Sequence, residues 1–181
     1  IQSHIDYVRH TKKLDLLREF IVSAQANFSD EFYTYHSNLL ANPYLHLQIN
    51  AKNSFGSNYK LNLEGLETDS QTGELKIIDA AQFKQGVYEH LMKNDWRNFR
   101  SYFQKFLNKC QGIIPADLAT YAYNIASNPY LAYKRRRIQS VGKDNFTELA
   151  GLTVDENTGA LIINDEDSLK EALKKEFASS N

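Results

Sequence analysis

Apolar side chains recur along this chain at helical and at alternating spacings, and each pattern is met twice. Leu14, Leu17, Ile21 and Ala24 share one face, with Leu16 and Phe20 beside them, and predict a helix over 11–26. Ser29 stands as an N-cap before a second predicted helix over 30–41, whose face carries Phe32, Tyr35 and Leu39. Asn42 and Pro43 are read as its stop: Asn tolerates the left-handed conformation that closes a helix, and Pro cannot continue one. Leu45, Leu47 and Ile49 alternate with polar residues, as do Tyr59, Leu61 and Leu63, which predicts short strands. Residues 65–79 predict a hairpin, with turn residues Asp69 to Gly73 and Gly73 at positive φ. Asp79 is then the N-cap of a helix over 80–93, with Phe83, Val87 and Leu91 four apart.

Displaced by 86 positions, as from Asn42 to Asn128, the same order returns without a gap. A helix over 96–109 carries Phe99, Tyr102, Phe103, Phe106 and Leu107, with Asn94 and Asp95 as its caps. Pro115 opens the next helix, with Leu118, Tyr121, Ala122 and Ile125 at helical spacing and a stop at Asn128-Pro129. Strand-like stretches at 131–133 and 146–149 precede a hairpin over 151–165 and a helix over 166–177 with Leu169, Leu173 and Phe177. A fixed period of this kind marks a repeated structural unit. The expected fold is α+β, with two tandem pseudo-symmetric repeats, 1–93 and 94–181. The junction Lys93-Asn94-Asp95 has no linker composition, so the repeats are expected to pack as one compact body, about a pseudo-two-fold axis.

More than a third of the positions from 34 to 79 are identical to their partners, and they are largely caps, turn glycines and apolar anchors. Thr34, Asn38 and Asn42, four apart, recur as Thr120, Asn124 and Asn128. They form either a polar binding stripe or a set of caps and loop bonds; the helix-stop geometry favours the second. Asp69 and Asp155 lack the alternating oxygens and distal Glu of a calcium loop and read as turn residues.

Charge and composition narrow the function. A net charge of -1 supplies no global field toward nucleic acid or an anionic membrane. The lone Cys110 excludes an internal disulfide framework, and its place near a helix end does not favour a lowered pKa. His4, His10, His36, His46 and His90 form no metal-binding spacing, and no nucleophile elbow, phosphate loop or dinucleotide fingerprint is present. No catalytic constellation, metal site or cofactor is therefore expected. No apolar run reaches transmembrane length. A cytoplasmic location is the expectation, with a leader removed ahead of Ile1 left open.

Two surfaces remain as candidates. Tyr44 and Tyr130 at the corner after the second helix of each unit, with Tyr133, are candidate partner contacts, since Tyr serves well as an interface anchor. Lys134, Arg135, Arg136 and Arg137 follow several tyrosines in the second unit only; they suit either a phosphate backbone or a charged edge strand that resists pairing.

The run Leu149-Ala150-Gly151-Leu152-Thr153-Val154-Asp155, with Gly159, Leu161, Ile163 and Asp165 and then Leu169-Lys170-x-Ala172-Leu173, resembles a C-terminal segment of the flagellar filament-cap (hook-associated) proteins. That resemblance implies a hairpin leading into a helix within a bacterial assembly domain. The expected function is a non-enzymatic structural or protein-interaction module, of the kind found in a bacterial assembly or secretion system, with another protein as partner and homo-oligomerisation left open. A nucleic-acid-binding module using 134–137 is the alternative.

Overall fold

The computed structural model describes residues 2–93 and 96–179, with side chains over 12–93 and 100–179. The predicted caps Asn94 and Asp95 lie outside the described residues. The chain runs α1 (Gln2–Ser23), a 3-10 turn, α2 (Asp30–Ala41), α3 (Pro43–Phe55), β1 (Leu66–Thr68), β2 (Leu75–Ile77) and α4 (Ala80–Lys93). It continues with α5 (Trp96–Lys109), α6 (Ala116–Ser127), α7 (Pro129–Val141), a second 3-10 turn, β3 (Leu152–Val154), β4 (Leu161–Ile163) and α8 (Glu166–Ser179). The fold is α+β: helices packed around two antiparallel two-stranded sheets, β1–β2 and β3–β4.

Local signals set most boundaries. Ser29 Oγ accepts from the Phe32 amide at 3.1 Å and starts α2. Asp79 and Asp165 accept from the Gln82 and Ser168 amides at 3.0 Å each and start α4 and α8. Asp69 Oδ1 accepts from the amides of Gln71 and Thr72, and Asp155 Oδ1 from those of Asn157 and Thr158, so both are turn residues. Gly73 takes φ +76 at the hairpin tip, as expected. Gly65, at φ +79, lets the hairpin base close on α4. A Cβ there would overlap the Asp79 carbonyl and lie 2.8 Å from the Phe83 amide nitrogen.

Four expected strands are corrected. Residues 45–49 and 131–133 lie in helices α3 and α7. Asn42 and Asn128 end the preceding helices in extended backbone, at ψ 113° and 117°, not in the left-handed region. Each also caps the next helix, with Pro43 or Pro129 in its first turn. The buried residues of α3 are Pro43, Tyr44, Leu47 and Ala51, a helical spacing that the Leu45-Leu47-Ile49 alternation concealed. Residues 59–63 and 146–149 have no regular secondary structure and pair with no strand. Side chains satisfy their backbone instead: Leu63 N donates to Tyr44 Oη at 3.0 Å, and Gln48 Nε2 to Leu61 O at 3.1 Å. Leu149 N donates likewise to Tyr130 Oη at 3.2 Å.

One apolar core crosses the junction. Leu47, Leu63 and Phe83 from the first half join Phe103, Leu107 and Ile125 from the second. Burial of each such side chain contributes about 1.5–3 kcal/mol. Helix α3 packs on α5, and α4 packs on α6 and α7. This packing is not reciprocal. A two-fold axis would also set α8 on α2, and these two helices are not among the element pairs that pack together.

Candidate functional site

The recurrent Asn stripe is a pair of internal clamps. Asn42 is 2% exposed. Its Oδ1 accepts from Tyr44 N at 2.9 Å and Leu45 N at 3.3 Å. Its Nδ2 donates to Thr68 Oγ1 at 3.0 Å and to Gly73 O at 3.3 Å. One amide thus fixes the start of α3 and the hairpin together. One turn earlier, Asn38 Nδ2 donates to Thr72 O at 2.8 Å. In the second half Asn128 takes Tyr130 N and Leu131 N and donates to Gly159 O at 3.1 Å, while Asn124 donates to Thr158 O at 2.7 Å. These polar atoms serve the fold.

The three tyrosines separate. Tyr44 and Tyr130, expected as outward anchors, are buried, and their hydroxyls face the unpaired segments just described. Tyr44 packs near Phe106, with ring centroids 6.4 Å apart, and burial pushes its phenol upward. Tyr130 donates to Glu148; burial, then that carboxylate, raise its pKa. Tyr133 is exposed on α7 and stacks on Tyr130 at 6.1 Å.

The basic run lies on helix α7, not on an edge strand, because Asn128-Pro129 starts a helix there. The four residues therefore point in different directions. Arg135 is buried. Lys134 pairs with Glu148 and lies 5.7 Å above the Phe146 ring. Burial pushes the Lys134 amine downward, yet Glu148 and Tyr88 carry it above the ordinary value. Arg136 is exposed and Arg137 half-buried. A phosphate backbone would meet two cations of the run, not four.

Cys110 and His90 are internal. Cys110 is 1% exposed, and burial pushes its thiol up to about 12. His90 is buried beside Tyr59, whose hydroxyl lies 3.1 Å from Nδ1, and desolvation lowers its pKa to about 4. The side chains of His4 and His10 lie outside the described residues. Among the described residues no three His, Cys, Asp or Glu side chains are placed to hold a metal ion. Among them, too, no helix is long and apolar enough to cross a membrane.

Large apolar side chains are exposed on α1 and α2 and on α7, β4 and α8, besides Ile78 and Ile113. Leu16, Leu17, Phe20 and Val22 on α1 accompany Phe32 on α2. Tyr133 on α7 and Ile162 and Ile163 on β4 accompany Leu173 and Phe177 on α8. For those on helices the signal in the sequence was their spacing, which resembles that of the buried helices. Compared with protein-family models, curated proteins and solved structures, the chain matches none.

Proposed function

We propose that this chain is a non-enzymatic protein-interaction module whose contacts lie at its two apolar ends. The observation that carries the reading is the set of large apolar side chains left exposed on α1–α2 and on α7–α8, with Phe20 and Phe32 joined through the Phe28 ring. Contiguous exposed apolar surface on a folded protein marks an interaction site. The asparagines shared by the two halves are engaged in holding hairpins and helix starts. A duplication that kept those clamps while its end faces met different neighbours accounts for the 86-residue period.

The test is photo-crosslinking. A benzophenone side chain at Phe32 or Leu173 is expected to give a discrete adduct with another polypeptide, and one at the exposed Lys143 none. Absence of adducts from both apolar ends would overturn the reading. The nucleic-acid alternative retains Arg136 and Arg137 as its outward cations of the run; filter binding that falls with salt and is lost in the doubly neutralised variant would favour it.

A further inference from the structure

The two apolar ends match one another through an interface already present inside the chain. Helix α4 packs on α6, and its Phe83, Val87 and Leu91 are 0%, 1% and 2% exposed. They share a core with Leu118, Tyr121 and Ile125 of α6. Lys84 lies across the same contact, its Nζ 4.9 Å from the centre of the Tyr121 ring and 3.5 Å from the Glu156 carbonyl oxygen. Beside this pair, α3 packs on α5 and brings Tyr44 near Phe106.

Displacement by 86 residues converts each partner into a residue at an open end. Phe83, Val87 and Leu91 become Leu169, Leu173 and Phe177 on α8. Leu118, Tyr121 and Ile125 become Phe32, Tyr35 and Leu39 on α2. Lys84 and Tyr121 become Lys170 and Tyr35, so the cation and its aromatic ring are both kept. Phe106 becomes Phe20, on the exposed face of α1. Inside the chain the first set is covered by the second. At the ends each set has exposed members, Leu173 at 40% and Phe32 at 44%, while Leu169, Tyr35 and Leu39 are half-buried. A partner needs the chemistry of α1–α2 to cover α7–α8, and this chain carries that chemistry at its other end.

We infer that the α7–α8 face of one copy docks on the α1–α2 face of a second copy, repeating between chains the contact that α3–α4 makes with α5–α6 within one. The inference rests on the interaction-module reading and names the partner. The joined surfaces differ, so the interface is heterologous. Each added copy leaves one face of each kind open, and the assembly closes as a ring or grows as a filament. Lys170 of one copy meets Tyr35 of the next.

The experiment uses the whole chain, with mass followed by light scattering and sedimentation velocity over a concentration series. Two substitutions block one face each without weakening its helix. Phe32→Glu places Glu three residues after the N-cap Ser29 and completes a capping box. Leu173→Lys puts a good helix former on the exposed face of α8. The wild-type mass is expected to rise with concentration beyond that of a dimer. Each variant alone should associate about 30-fold more weakly or worse, the loss of a central anchor. An equimolar mixture of the two should form a dimer and nothing longer, because one intact face of each kind remains.

A wild-type chain that stays monomeric throughout overturns the inference. So does association abolished by Leu173→Lys but untouched by Phe32→Glu, which would mean that α8 pairs with itself. So does a mixture that yields no dimer while circular dichroism shows both variants folded. Adducts to a different polypeptide from a monomeric chain would sink self-docking and leave the interaction-module reading standing. Absence of both sinks both.

Discussion

Replacing Asn42 tests whether one buried amide holds a helix and a hairpin together. In Asn42→Ala the cap of α3 is lost, at about 1 kcal/mol. The Gly73 carbonyl and the Thr68 hydroxyl also lose a donor, at about 1 kcal/mol each. The structure therefore sets the cost at about 3 kcal/mol, and at about 2–4 °C per kcal/mol for a chain of this size the midpoint falls by about 6–12 °C. Asn128→Ala should cost about 2 kcal/mol, since Val154 stands where Thr68 stands and the second donor bond is missing. Asn42→Asp separates the roles. It keeps the acceptor for the Tyr44 and Leu45 amides and improves the cap, but it sets a buried carboxylate oxygen against the Gly73 carbonyl. It should be no more stable than Asn42→Ala. Urea unfolding followed by circular dichroism and by Trp fluorescence, with coincident transitions, gives these differences. An Asn42→Asp chain as stable as wild type would show that the cap is the whole role and refute the clamp.

Three further outcomes follow from the interior. Gly65→Ala should be far more destabilising than Gly112→Ala in thermal melts: both sites have positive φ, but a Cβ at 112 meets nothing within 4 Å and one at 65 meets Asp79 and Phe83 backbone. Because burial lowers His90 to about 4 in the folded chain, the unfolded chain takes up its proton first as pH falls below about 6.5. The His90 contribution is intact above that pH and declines down to about pH 4, so the urea midpoint of His90→Gln should vary less than that of wild type across this window. Cys110 should resist a disulfide-exchange reagent at pH 8 in the folded chain and react stoichiometrically in urea; fast reaction without denaturant would contradict its burial.

The parts of this fold that could be read from the sequence are those set by neighbours in the chain. Ser29, Asp79 and Asp165 act on amides three residues ahead, and Asp69 closes its own turn, so caps and hairpins were legible. Helices α3 and α7 were not, because Asn-Pro is at once a stop and a start. The buried Arg135 interrupts the apolar period of α7, and Ala51 contributes to the α3 face without looking like an anchor. Tyr44 and Tyr130 were misplaced for a related reason. Each hydroxyl takes the place of a missing strand partner at Leu63 or Leu149, a contact 19 residues away that no local pattern carries. The exposed ends escaped notice because an apolar stripe reads the same whether or not something covers it.

The core that crosses the junction has a consequence for how this sequence can change. Positions on α3 and α5 touch within one chain, so a larger residue at Leu47 demands a smaller one among Phe103, Phe106 and Leu107 in the same gene. Such pairs should drift together among descendants of this sequence. The hairpin clamps, each closed within its own half, are free of that bargain and should keep their residues while the central seam is rewritten around them.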